Sequence, residues 1–485
     1  MAYCAAGCWD ESQLSGCVVS PSWNLFMTVS IKRWEPENVI FWLSRGRGIA
    51  RRNLWLSIFS LHLNFNIWMM WSMVVVNLPA VGFLISGQQQ FLLVSIPPLV
   101  GALMRLIYSW AWSWVGGGLW LGLSTLFLLL PAWGVGRVVQ DIASPFWQLL
   151  LVAALCGIGG GASASHLSNT SFFFPKSEKG LAMGLNAGLG NLGVSVAQLL
   201  IPLCILYPLF GYAAGEPQVW GGGGEVHFVW LQNAAYIWLP LIVLIALACL
   251  LYAHDLPKLR ITPHDQLDAM KDPHTWYICL LYMGSYGTFL GFSAAFPLLA
   301  RAMFPHIDAS PYLFVGPMVC ALSRPLGGWM GDKVGGGIAT VAANLLMAAG
   351  TVGVYLGMPS AGSGGSFWLF LAMFQLIFFA AGVGNGSSYQ LAPKVFLILA
   401  GRDAQLHGET LQQAYLRGGR RGASAMNVSS VMAAFGGFVI PKAFGSALDW
   451  FGSFLPAFAM FFLFYLLCMV IAWWHYSRPR AAMRC

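Results

Sequence analysis

The sequence predicts an all-α membrane protein, with twelve spanning helices arranged as two six-helix repeats. Three observations predict it. The 485-residue chain is 58% hydrophobic and only 9% charged, more apolar surface than a soluble protein of this size can hide. Its apolar runs are long and lack strand-like alternation, which leaves helices as the spanning element. Finally, Pro98-Leu-Val-Gly-Ala-Leu-Met-Arg105 returns as Pro317-Met-Val-Cys-Ala-Leu-Ser-Arg324. Both read Pro-x-Val-x-Ala-Leu-x-Arg within apolar runs, so the chain carries two related halves.

In order, the first span, 53–80, follows the basic pair Arg51 and Arg52. The second, 90–113, carries Arg105, and the Gly116-Gly-Gly118 loop leads into the third, 118–137. The fourth, 146–170, contains Gly157-Ile-Gly-Gly-Gly161. The fifth, 181–210, follows Lys176 and Lys179, and the sixth is 231–253. The second half opens with 273–300. Span 310–331 carries Arg324, and Gly331-Asp332-Lys333 leads into 336–358. Span 366–392 contains Gly382-Val-Gly-Asn-Gly386, the counterpart of the glycine motif in the fourth, and 421–446 and 452–475 complete the set. The domain reading is a tail 1–52, a half 53–253, a linker 254–272, a half 273–476 and a tail 477–485. Two glycine-rich stretches, Gly221 to Gly224 and Gly362 to Gly365, lack the Lys-Ser/Thr ending of a phosphate cradle and read as flexible connectors.

Charge orients the chain. Of 25 Lys and Arg, twenty fall in the tails and the even-to-odd loops, and only Arg137, Arg301 and Lys442 on the other side. The positive-inside rule then places both termini in the cytoplasm, with the chain in the cytoplasmic (inner) membrane. The same asymmetry accounts for the net charge of +8, so the basic balance does not indicate nucleic-acid binding. Cys4, Cys8 and Cys17 cluster near the start without histidines at zinc-ligand spacing, so no metal site is expected. The first thirty residues lack the basic start and apolar core of a secretory signal. They read either as a disordered tail or as an extension ahead of a start at Met27.

The two remaining cations are Arg105 and Arg324. All seventeen Asp and Glu fit in tails or loops, so the membrane interior holds two arginines and no carboxylate. An arginine in hydrocarbon is costly and needs a negative partner. Here that partner is expected to arrive as a ligand, and the planar guanidinium suits a planar oxyanion. Two guanidinium groups about 8 Å apart repel by about 2 kcal/mol at an effective dielectric near 20. A bound anion relieves that repulsion, a physical reason for exchange between anions. His166, on the polar Ser163-Ala-Ser-His166 stretch, is the candidate proton carrier for the rival, anion/proton symport. No nucleophile–base set appears in any span, so an enzyme is not expected.

The stretch Gly184-Leu-Asn-Ala-Gly-Leu-Gly-Asn-Leu-Gly-Val-Ser-Val-Ala-Gln198, preceded by Ser171-Phe-Phe-Phe-Pro-Lys176, resembles the signature of the nitrate/nitrite porter (NarK-type) family of the major facilitator superfamily. Trp71-Ser-Met-Val-Val-Val-Asn-Leu-Pro79, Gly291-Phe-Ser-Ala-Ala-Phe-Pro297 and Ile440-Pro-Lys-Ala-Phe-Gly445 are similar to it as well. The resemblance implies a major facilitator fold and alternating-access transport of nitrate and nitrite, most naturally as antiport. It implies no cofactor, a lipid bilayer as surroundings and a functional monomer. By the same resemblance Arg105 and Arg324 clamp the anion, and Asn191 and Tyr282 add hydrogen bonds. Where the family places phenylalanines on helices four and seven, this chain has Ser163 and Tyr286, an expected second set of substrate contacts. Gly184, Gly188, Gly190 and Gly193 on helix five, with Gly436 and Gly437 on helix eleven, are the expected conformational glycines. Other small anions, and a non-transporting anion sensor on the same scaffold, remain as alternatives.

Overall fold

A computed structural model describes residues 29–31, 33–221, 227–256, 263–359, 364–408, 410–481 and 483. Cys4, Cys8, Cys17, Met27, Lys32, Lys258, Arg260, Arg484 and parts of both glycine-rich connectors lie outside the described residues. Among the described residues, eleven helical stretches are long and apolar enough to cross a membrane. One of them, Ser310–Gly357, has 48 residues, about 72 Å of helical rise against about 30 Å of hydrocarbon. Gly335, at φ +101°, breaks it in two, because a positive φ cannot continue a right-handed helix. Twelve helices result: α1 Val39–Asn77, α2 Gly87–Val115, α3 Gly117–Val138, α4 Phe146–Phe173, α5 Lys176–Cys204 and α6 Asn233–Tyr252; then α7 Pro273–Met303, α8 Val315–Met330, α9 Gly336–Gly357, α10 Phe367–His407, α11 Leu411–Phe451 and α12 Leu455–Ala472.

Gly116, at φ +112°, separates α2 from α3 as Gly335 separates α8 from α9. The two glycines stand in the same register as Arg105 and Arg324, so the sequence repeat is also a repeat of turn geometry. The two glycine motifs repeat as well. A side chain at Gly160 would collide with Trp68 and Gly101, pressing α4 onto α1 and α2, and one at Gly382 would strike the Cys320 carbonyl, pressing α10 onto α8. The outward faces are apolar, as a bilayer requires. Leu244, Leu247 and Leu251 of α6, and Leu463, Leu467 and Val470 of α12, are all exposed.

Several boundaries differ from the hydropathy reading. The first helix begins at Val39, inside the stretch read as a tail, because charged Arg45, Arg47, Arg51 and Arg52 hide a helix from an apolar-run search. It packs Trp42 and Leu54 against Phe173 and Phe174. Both α10 and α11 run well beyond the apolar segments, through Lys394, Arg402, Arg417, Arg420 and Arg421. Those residues end hydropathy but are good helix formers.

The halves meet along α2 with α11, α5 with α8 and α1 with α7. They are sealed at the end of the bundle away from the termini. There Phe91 packs on Phe444 and Phe454, Gln88 donates to Asp449 at 3.1 Å, and Gln198 donates to the Ser293 carbonyl at 2.8 Å. Toward the terminal end the halves part. Where the chain leaves α6, His254–Asp255 pairs in parallel with Val29–Ser30. The Asp255 carboxylate accepts from the Gly118 amide at 2.6 Å. That acid, brought from the linker, caps α3 at a loop whose own sequence supplies none.

Candidate functional site

A cavity of about 350 Å³ lies between the halves, reaching from Arg105 and Arg324 toward the terminal end along α4, α5, α10 and α11. Its lining includes Arg105, Ser163, Asn191, Tyr282, Tyr286 and Arg324, so every substrate contact expected from the sequence is gathered at one place. Among the described residues its lining holds no Asp or Glu. The described lining is thus positively charged and carries no fixed counter-charge.

The two arginines are not equivalent. Arg105 is 1% exposed. Its Nε donates to the Gly160 carbonyl at 3.1 Å, its Nη1 to the Ser430 hydroxyl and carbonyl at 2.6 and 2.8 Å, and its Nη2 to the Tyr286 hydroxyl at 2.9 Å. Trp68 supplies a ring face 5.4 Å from the guanidinium carbon. The glycines at 101 and 160 bring these partners close, since Trp68 occupies the space that side chains would take. Arg324 is half-buried and lies over the Tyr389 ring at 5.6 Å. Among the described residues its guanidinium makes no hydrogen bond or ion pair, so all its donors are available to a ligand.

The tyrosines are set by helix geometry. Tyr282 and Tyr286 are four residues apart on α7 and stack at 5.4 Å and 13°. The wide π turn Met283–Gly287 carries Tyr286 toward Arg105, the kind of local widening found at functional sites. Because the Tyr286 oxygen accepts from Arg105, its own O–H remains free to donate. The Ser163 hydroxyl is buried and without a partner, and it lines the same cavity. Asn191 lines it from α5 with no side-chain hydrogen bond among the described residues.

His166 is not brought there. It is fully buried behind the cavity wall, with Nε2 2.8 Å from the Ser60 hydroxyl and Nδ1 3.2 Å from that of Ser165. The Ser60 hydroxyl in turn bonds Thr125. Ser163, three residues earlier, takes the cavity face, and the turn of the helix between them directs His166 into the packing of α1 and α3. The glycines divide too. Gly190 and Gly193 lie against Leu61 and His62 of α1, and Gly436 against Met283 and Gly287. Gly437 lies against Leu290 and, across the halves, Pro98. Gly184 and Gly188 meet nothing within 4 Å, since they sit on α5 where the halves have parted. The close packing seen at Gly190 and Gly193 is therefore absent at these two in this conformation.

Tyr389, Asn427 and Ser430 also line the cavity and were not singled out as ligands from the sequence. The available signal was the one that found the arginines, polar residues inside apolar spans. Tyr389 lies three residues after the second glycine motif, and Ser430 sits one helical turn after Asn427.

Two six-helix repeats around a central cavity open on one side define a transporter architecture. The chain belongs to the Major Facilitator Superfamily, whose family model matches residues 54–402. It is 41% identical over 449 residues to the nitrate/nitrite transporter NarU of Salmonella typhimurium, covering 92% of this chain and 96% of that one. It is 38% identical to NarU of Escherichia coli over 94% of this chain and 97% of that protein. A protein named probable nitrate/nitrite antiporter NarK2, from Thermus thermophilus, is 35% identical over 94% and 98%. Among solved structures, a bacterial homologue of the human lysosomal transporter Spinster shares the fold at TM-score 0.50 and 17% identity, covering 88% of this chain and 98% of that one.

Proposed function

We propose that this protein carries nitrate and nitrite across the cytoplasmic membrane by alternating access, exchanging one anion for the other. The observation that carries the reading is the cavity shared by Arg105 and Arg324, with no carboxylate in its lining among the described residues. The names of the NarU and NarK2 relatives supply the anion class. With both termini in the cytoplasm, as the basic residues suggest, the described conformation is open inward and sealed outward. A flat anion enters, takes hydrogen bonds from Arg324 and Asn191, and shares Arg105 with Ser430 and Tyr286. Because Arg105 bonds residues of both halves, an anion that competes for its donors loosens the present arrangement, which couples occupancy to rocking. An empty site leaves the two arginines unneutralised, so return without an anion is disfavoured and exchange results. Symport through His166 loses support because that side chain does not reach the cavity. The protein is proposed to act as a monomer, since the whole cavity is built from one chain.

The test is nitrate uptake into proteoliposomes with nitrite inside or absent, across an imposed pH gradient. Exchange requires uptake that depends on internal nitrite and ignores the gradient. Gradient-driven uptake into empty vesicles would refute exchange, and absence of uptake in both settings would refute the choice of anion.

A further inference from the structure

By sequence Lys179 is one of the loop cations that orient the chain. In the structure it lines the anion cavity. It stands in the first turns of α5, half-buried, with Nζ 5.8 Å from the Phe172 ring. Among the described residues its ammonium makes no hydrogen bond and no ion pair. The neighbouring acids take other hydrogen bonds, Glu37 from the Lys176 amide at 3.0 Å and Glu178 from the Trp42 indole at 3.1 Å, and the Glu37 charge acts on Lys179 only from beyond ion-pair distance. Ser168 and Ser171, on the last turns of α4, line the same wall. The Ser171 hydroxyl donates to the Ser168 carbonyl at 2.8 Å, while that of Ser168 has no partner among the described residues. Facing them across the cavity are Pro393, Gly419, Ala423 and Met426, all uncharged.

From Ser163, beside the arginines, to Ser171 is eight residues of α4, about 12 Å of rise. Lys179 is therefore too far out to share an anion with Arg105. A half-buried ammonium that makes no hydrogen bond or ion pair among the described residues, offset only by the more distant charge of Glu37, beside the Ser168 hydroxyl in a cavity that holds two further cations, is a capture point for a small anion.

We propose that Lys179, with Ser168 and Ser171, forms an outer site for small monovalent oxyanions at the cavity mouth, loaded before the arginine pair and emptied after it. The site lies on the first half alone and is weak, as a one-cation site open to water must be. It acts on anions presented from the terminal side of the membrane and leaves those arriving from the sealed side unaffected. The identity of the carried anion rests on the function proposed above; the outer site itself does not.

Two measurements decide it. The first is acylation of lysines in purified protein in a non-ionic sugar detergent, followed by mass spectrometry, with nitrate replacing gluconate at constant ionic strength. Nitrate at twice its dissociation constant slows labelling of Lys179 about threefold and leaves Lys176 and Lys394 unchanged. The absence of phospholipid distinguishes a free anion from a lipid headgroup phosphate. Equal labelling of Lys179 in both salts overturns the site, and protection that appears only when phospholipid is added back overturns it in favour of the headgroup. The second is exchange in proteoliposomes of known orientation. K179Q raises KM for anion offered on the terminal side about three- to tenfold, K179R restores it, and KM from the other side stays unchanged. A terminal-side KM within twofold of wild type overturns the role in transport. If the wild type moves neither nitrate nor nitrite, the proposed function falls, and the labelling result still decides the site.

Discussion

Arg105 on α2 donates from Nη2 to the phenolic oxygen of Tyr286 on α7 at 2.9 Å. With the Ser430 bonds from the same guanidinium, it joins the two halves at the depth of the central cavity. The group proposed to attract the anion is also a fastener of the present conformation. Arg324, its partner in the sequence repeat, has no such tie and remains the free arm of the clamp.

That asymmetry predicts different outcomes for matching substitutions. Arg324→Lys loses the planar fork and should raise KM for nitrate about tenfold or more, the cost of one charge-assisted hydrogen bond, with thermal stability nearly unchanged. Arg105→Lys should lower both transport and Tm, because one ammonium cannot reach Gly160, Ser430 and Tyr286 together. Uptake kinetics and thermal melts of the two variants, side by side, make the comparison. Equal effects on Tm would contradict it.

Tyr286→Phe keeps the ring stacked on Tyr282 and removes only the hydroxyl. It should weaken nitrate binding about tenfold while leaving the fold intact, as read by KM and by circular dichroism. A variant with wild-type KM would show that the hydroxyl serves Arg105 alone and never the anion.

His166→Gln should leave the pH profile of exchange unchanged, since the imidazole is enclosed by Ser60 and Ser165 and does not line the cavity. A modest loss of Tm is expected from the disturbed hydroxyl network. A shifted pH profile with intact folding would restore His166 as a proton carrier.

The glycines of α5 separate by position. Gly193→Val places atoms against the His62 carbonyl and should destabilise the α1–α5 contact, with loss of folded protein in size-exclusion chromatography. Gly184→Ala has open space and should fold normally. If Gly184→Ala fails to fold, the arrangement of α5 described here is wrong.

At the strap between the halves, Arg52 donates to the His254 ring at 2.9 Å. Burial and then the Arg52 charge hold His254 below its ordinary pKa of 6.5, with Asp255 opposing and Arg45 adding to the depression. A histidine unfolded at its ordinary value takes up a proton below about pH 6.5, while the folded one stays neutral to lower pH. Stability should therefore fall as pH drops through that window. Tm measured between pH 7.5 and 5.5 should decline, and His254→Gln should flatten the decline. Asp255→Ala, which uncaps α3, should cost about 1 kcal/mol near pH 7.5 and steepen the decline at lower pH, because its charge no longer opposes the depression of His254.

The sequence by itself determined the helices, the repeat and the unpaired arginines. Each is a local property: long apolar runs force spanning helices, and an arginine such as Arg105 within one is costly wherever the run goes. It could not determine which way a helix faces or what comes near it from a distance. Ser163 and His166 differ by three positions and by less than a full turn, yet only packing against α1 and α3 decides that one lines the cavity and the other is enclosed. Lys179 looks like any loop cation until α4 and α5 close around it. Asp255 caps a helix more than a hundred residues earlier in the chain, and Val39 begins a helix that charged residues concealed from hydropathy. These outcomes belong to tertiary structure because they depend on contacts between segments remote in sequence, where burial, hydrogen-bond satisfaction and charge are settled together.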